Sequence, residues 1–144
     1  MHSDCIFCAI ASSAAPASVV YEDAFSIAFF DLRQFHPGHT LIIPRQHIAD
    51  VRELDEATGA HFMASLSRVT RAVSAAFPGQ GTSVWHSIGA AAFQEVPHLH
   101  FHIHPRHMAD GILRVYPSAP SSPARPILDE YAAAIRKQLA SAQG

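Results

Sequence analysis

Apolar and polar positions change in short runs over the first third of the chain and then settle into a longer period. Val19 to Glu22 and Ser26 to Phe30 read as two short strands around a turn at Glu22–Asp23–Ala24. Pro37–Gly38 is a turn signal leading into a third strand, Thr40 to Ile43, ended by Pro44. Phe62, Leu66, Val69, Val73 and Phe77 then recur at steps of four, three, four and four. That spacing predicts a helix with one apolar face, with Ser65, Arg68 and Arg71 on the other. Pro78–Gly79 stops it. Thr82 to Ser87 and His98 to His104 read as a fourth and a fifth strand. Residues 110–126 carry Pro117, Pro120, Pro123 and Pro126 and read as an irregular surface segment. Ile127, Tyr131, Ile135 and Leu139, spaced by fours, predict a last helix from about 127 to 139. Hairpin-linked strands with one long inserted helix predict an α+β fold, an antiparallel sheet covered by helices.

A chain of 144 residues, 49% hydrophobic and 15% charged, has the composition of one soluble globular domain. Its formal net charge of −2 makes no electrostatic case for nucleic acid or an anionic membrane as a partner. No apolar run approaches the ~18 residues that would span a bilayer. The stretch from Ala9 to Val20 is rich in small residues but lacks a basic leader, and Ser12, Ser13 and Pro16 interrupt it. The expectation is a cytoplasmic protein in which Cys5 and Cys8 form no structural disulfide. Histidine is the compositional outlier, at 11 residues. Imidazoles titrate near neutral pH and bind metals, so phosphoryl chemistry and metal binding are the first candidates.

The densest segment is Pro97-His98-Leu99-His100-Phe101-His102-Ile103-His104. Alternation in a strand puts four imidazoles on one face, with Leu99, Phe101 and Ile103 directed to the core. Same-face residues lie roughly 6.5–7 Å apart along a strand, so neighbouring rings can share one small ligand. A single histidine there reads as a surface residue; four alternating ones opposite an apolar stripe do not. A neutral imidazole is a competent nucleophile toward phosphorus, and adjacent rings can donate to phosphate oxygens. The same pairs could also chelate zinc, so a zinc hydrolase with metal on His98, His100 and His102 stays open.

Gln94-Glu95-Val96-Pro97-His98-Leu99-His100-Phe101-His102-Ile103 resembles the signature of the histidine-triad family. Other stretches match that family in order: Cys5-Ile6-Phe7-Cys8, Val20-Tyr21-Glu22-Asp23, Phe30-Asp31, and the run from Pro37 to Ile48. The resemblance covers roughly residues 4–108, within a single domain of 1–144 whose remainder, 109–144, is the irregular segment and last helix. It implies an antiparallel sheet of about five strands with one long central helix and a C-terminal helix. It implies a nucleotidyl hydrolase or transferase acting on nucleoside phosphoramidates or dinucleoside polyphosphates, with adenosine or guanosine as the nucleoside. His100 would attack the α-phosphorus, flanked by His98 and His102, with His102 on phosphate. Asp31 would bind the ribose hydroxyls, and Ile6, Phe7, Ile10, Phe29 and Leu32 would form the base slot. Taken alone, those apolar positions read as core. Ser87, Gln94, Glu95 and Val96 would border the phosphates. Family members often carry Asn where Ser87 stands and a small residue where Phe93 stands, so Phe93 is expected to narrow that loop. His104 has no role in the pattern.

Cys5-x-x-Cys8 lacks the preceding strand that a redox motif requires. It could be a pair of buried thiols. In family members with this pair, a structural zinc is held by the cysteines and by the residues matching His47 and His98. No organic cofactor is implied. His36, His39, His61, His86 and His107 read as scattered surface or structural residues. The resemblance further implies a homodimer with the first helix and an edge strand at its interface. A different class also fits: a nucleotide-binding regulatory module with vestigial chemistry, favoured by Ser87 and Phe93.

Overall fold

The structure is a computed structural model describing residues 4–142; residues 1–3 and 143–144, the ends of the expected 1–144 domain, lie outside the described residues. Strands form where alternation and turn signals place them: β1 Val19–Glu22, β2 Ser26–Phe30, β3 Thr40–Pro44, β4 Gly81–Trp85 and β5 Phe101–Arg106. They pair antiparallel in one five-stranded sheet of order β1-β2-β3-β5-β4. The histidine strand is therefore interior, flanked by β3 and β4. It begins at Phe101 rather than at His98, so His98 to His100 are an approach segment to the strand.

Facing side chains sort the sheet into two faces. Ala28, Ile42 and Ile103 pack against Phe62, Leu66, Val69 and Val73 of the long helix α2, Glu56–Ala76. The alternate residues Ile27, Phe29, Leu41 and Ile43 pack against Phe7 of a short helix α1, Ile6–Ala11. Each such fully buried side chain contributes about 1.5–3 kcal/mol. α1 has only six residues, too few to show a period, and sequence periodicity did not mark it. Register then fixes where histidine goes. His102 pairs with Leu41 across β3–β5 and so shares the α1 face, while Phe101 packs with the α2 cluster.

α2 starts on Asp55, whose carboxylate accepts the Thr58 N–H at 2.9 Å. Its apolar face is the expected one, with one correction: Ser65 is buried. Its hydroxyl donates to Asp23 Oδ2 at 2.8 Å, and the same carboxylate accepts Tyr21 Oη–H and the N–H groups of Phe25 and Ser26. The β1–β2 turn is thereby tied to the helix. The chain divides after Asp110 into two compact units. The second contains α3, Arg125–Ala142, on which Ile127, Tyr131, Ile135 and Leu139 are exposed. No helix among the described residues is long and apolar enough to cross a membrane.

Gly38 has φ +109°, and a Cβ there would meet the Phe77 ring at 2.8 Å. Gly38→Ala should therefore lose about 1–3 kcal/mol of stability. Urea denaturation would measure this, and a loss below about 0.5 kcal/mol would contradict the geometry.

Candidate active site

His100 lies immediately ahead of β5 and is buried. Its Nδ1–H donates to the carbonyl oxygen of His98 at 2.7 Å. A carbonyl can only accept, so the proton sits on Nδ1 and the neutral ring carries its lone pair on Nε2. Burial pushes the imidazole below its ordinary pKa of 6.5, although the bond to His98 opposes that shift. The backbone is held as well. His86 Nδ1–H donates to the His100 carbonyl at 3.1 Å, while His86 Nε2 accepts the Val51 N–H at 3.3 Å.

His102 is next on the same face, with its ring 5.1 Å from that of His100. Burial, and then the proximity of His100 and His39, hold its pKa at about 3. His39 Nδ1–H donates to the Arg33 carbonyl at 3.2 Å, so the neutral His39 ring offers Nε2 as an acceptor. His102 Nδ1–H donates to it at 2.9 Å. Burial also lowers the His39 pKa, against the pull of Asp31. Trp85, the cross-strand partner of His102, stacks on its ring at 4.4 Å and 2°. His104 is buried behind this stack, its Nδ1–H bonded to the Pro105 carbonyl at 2.7 Å.

A cleft of about 560 Å³ opens beside these rings. Its walls include Ile6, Phe7, Ile10, Phe29, Asp31, Leu32 and Val96, so seven of the expected nucleotide contacts converge. Phe7 joins cleft to histidine, with its ring edge-to-face on His100 at 5.1 Å. Leu32 is wholly exposed at the rim, whereas Asp31 is buried with Oδ1 accepting the Arg33 N–H at 2.8 Å. Ser87, Gln94 and Glu95 do not line this cleft. Gln94 spends its side chain on the loop, accepting from Gly89 N–H at 2.8 Å and donating to the Ala49 carbonyl at 2.9 Å. Glu95 pairs with Arg33 at 2.8 Å. Phe93 does not narrow the loop with its side chain: it is 87% exposed and its backbone is left-handed, φ +64°. That conformation is one a small glycine adopts freely.

His98 faces another way. Its Nε2–H donates to the Pro44 carbonyl at 2.9 Å, and its Nδ1 stands 3.4 Å from Cys5 Sγ and 3.6 Å from Cys8 Sγ. Cys8 Sγ lies 3.2 Å from His47 Nδ1. All four donor atoms fall within 4.8 Å of one another. A tetrahedral zinc with ordinary bond lengths would set sulfur and nitrogen about 3.6 Å apart. The set therefore fits a closed Cys₂His₂ zinc site, and the Pro44 bond orients the His98 ring as an outer-shell partner does. With both ring nitrogens engaged, His98 cannot also share a metal with His100 and His102, as a zinc hydrolase on those three would need.

Comparison with known proteins shows the family. The HIT domain matches residues 12–109. The chain belongs to the HIT family. It is 34% identical over 139 residues to Protein hit of Bacillus subtilis, covering 96% of each chain. A crystal structure of a HIT-family member from that organism superposes with a TM-score of 0.87 at 32% identity, covering 94% of this chain and 96% of that one. The adenosine 5'-monophosphoramidase hnt1 of Schizosaccharomyces pombe is 36% identical over 120 residues, covering 83% of this chain and 87% of its own. In this HIT chain, sequence reasoning missed Trp85, Arg33 and the links through His39 and His86. Trp85 could have been found by pairing the fourth and fifth strands, which sets it opposite His102; the His39 and His86 contacts cross loops and carry no periodic signal.

Two outcomes follow for this HIT chain. His39, His100 and His102 all bind protons more weakly folded than unfolded. Stability is thus fully present above pH 6.5 and is lost as pH falls below it toward the depressed folded values. Asp23, held at about 2 by hydrogen bonds that outweigh its burial, adds its own loss only below about pH 4. Thermal melts between pH 7.5 and 4.5 should therefore show a falling Tm, and a flat profile would refute the neutral-histidine assignment. Phe93→Gly should raise stability by about 1 kcal/mol through relief of the left-handed backbone, and chemical denaturation that showed a loss instead would refute it.

Proposed function

We propose that this chain hydrolyses purine nucleoside phosphoramidates or dinucleoside polyphosphates at the α-phosphorus and releases a nucleoside monophosphate. The observation that carries the reading is the Nδ1–H bond from His100 to the His98 carbonyl, which leaves the Nε2 lone pair free beside the apolar cleft. Nε2 attacks phosphorus, and the bond from phosphorus to the leaving amine or phosphate breaks as that group takes the electron pair and a proton from solvent. Water then adds to phosphorus and gives its proton back to solvent, the N–P bond breaks, and the pair returns to Nε2. The base lies in the slot of Ile6, Phe7, Ile10, Phe29 and Leu32, with Asp31 accepting from the ribose hydroxyls. His102 serves the phosphate, and Ser87 with the backbone of Gln94, Glu95 and Val96 borders the leaving-group side. Likeness to a protein named as an adenosine 5'-monophosphoramidase supports the substrate class.

In the same reading Cys5, Cys8, His47 and His98 hold zinc, which when bound supplies a structural cross-link and no chemistry to the substrate. The protein works as a single-domain homodimer in the cytoplasm, built on α2 and an edge strand.

Incubation with adenosine phosphoramidate and intact-mass analysis tests the core of this. An adenylyl adduct should form on the wild type and vanish in His100→Ala, with turnover falling on the order of 10³-fold or more. Binding without turnover would favour the regulatory-module reading. Turnover abolished by a chelator, with no adduct, would favour a zinc hydrolase. Metal analysis should return one zinc per chain, lost together with several degrees of Tm in Cys8→Ser.

A further inference from the structure

Asp31, His39 and His102 come together on the cleft side of the sheet, from the end of β2, the start of β3 and the middle of β5. Their donor atoms all lie within 4.8 Å of one another. His39 Nε2 and His102 Nδ1 are 2.9 Å apart, and Asp31 Oδ2 stands 3.9 Å from His39 Nε2, too far for a hydrogen bond. We propose that these three residues form a second metal site, reached from the cleft past Asp31 and suited to a borderline divalent transition ion such as Zn²⁺, Co²⁺ or Ni²⁺.

Several features of the geometry support this. Two nitrogens at bond lengths of about 2.05 Å on one ion lie about 2.9 Å apart at a right angle and about 3.3 Å apart in a tetrahedron. The two rings already meet the first value. Asp31 Oδ2 needs to move by only about 0.5–1 Å to join them. The ligating face of His39 is oriented from behind, because its Nδ1–H is bonded to the Arg33 carbonyl at 3.2 Å. Two imidazoles and one carboxylate are also a set that leaves coordination positions open, and its nitrogens disfavour Mg²⁺ and Ca²⁺. Asp31 lines the cleft, which supplies an entry path. Arg33 engages the other Asp31 oxygen, with Nε 3.7 Å from Oδ1, and its outer nitrogens pair with Glu95 at 2.8 Å, so Oδ2 is the oxygen turned to His39.

Binding moves a proton without releasing one. His102 gives up Nδ1–H to free that lone pair for the ion and takes a proton on Nε2. The ion also engages Asp31, the residue proposed to bind the ribose, so metal and nucleotide exclude each other; this last step rests on the proposed function.

Cobalt titration of protein carrying one zinc per chain tests the site. Co²⁺ should give weak visible d–d bands that saturate at one equivalent without the intense sulfur-to-cobalt charge transfer of a thiolate site. Those bands should vanish in His39→Gln, and the apparent Kd for cobalt should rise at least about tenfold in Asp31→Asn. Far-UV circular dichroism checks the fold, and should His39→Gln not fold, Asp31→Asn decides. Absence of sulfur-free bands, or a Kd unchanged in Asp31→Asn, overturns the site. AMP should raise the apparent cobalt Kd in proportion to its concentration, and an unchanged Kd overturns the mutual exclusion. The adenylyl adduct is measured on separate metal-free-cleft samples, so failure of the hydrolase reading and failure of the metal site are told apart.

Discussion

Much of this molecule turns on one short hydrogen bond, from His100 Nδ1–H to the His98 carbonyl at 2.7 Å. It decides which nitrogen of a buried imidazole holds the proton, and therefore where the lone pair points. In water the two tautomers interconvert freely, and a free ring would not hold its lone pair on Nε2. Here the acceptor is a backbone atom of the adjacent extended segment, so the choice is built into the chain path. The residue that supplies that carbonyl is itself held from both ends. Its Nε2–H is bonded to Pro44 on β3, and its Nδ1 faces Cys5 and Cys8 at the start of α1. One residue thus connects the Cys–His cluster with the His100 ring. A disturbance of the cluster reaches His100 through a single backbone unit.

The sheet explains why the cleft lies next to that bond. β5 is flanked on both sides, and residues that pair across strands share a face. Leu41 and Trp85 both pair with His102, so the face that carries the histidines also carries the apolar floor of the cleft. α1 covers part of this face through Phe7, which packs on Phe29 at 5.5 Å and on His100 at 5.1 Å. The opposite face is closed by α2, which buries no histidine among its core residues. Both faces bury an apolar cluster, and the α1 face carries His102 and the cleft as well.

What was legible in the sequence follows the range of the interactions. Period-two and period-four patterns are local, and they located five strands, the long helix and the last helix to within a few residues. The apolar cleft positions and Asp31 were legible through their family pattern, and they do converge. Ser65 was misplaced because its burial is driven by Asp23, a partner 42 residues away, rather than by its own polarity. α1 was missed because six residues contain under two turns. Trp85, His39 and His86 depend on register and loop paths, which no single stretch encodes. Phe93 looked like an obstruction by size, yet the backbone angle sends its ring into solvent.

The four alternating histidines also answer a question that their spacing raised. Four like groups on neighbouring positions would repel if charged, and would be redundant if equivalent. Each is instead given a different partner. His98 donates from Nε2 to Pro44, leaving Nδ1 to the cysteines. His100, His102 and His104 donate from Nδ1 to the His98 carbonyl, to His39 and to the Pro105 carbonyl. None of the four competes with another for the same acceptor, and each ring keeps a hydrogen bond satisfied. The cost of burying imidazole is thereby confined to its charged form. A periodic sequence has become four distinct environments because the acceptors, unlike the histidines, are not periodic.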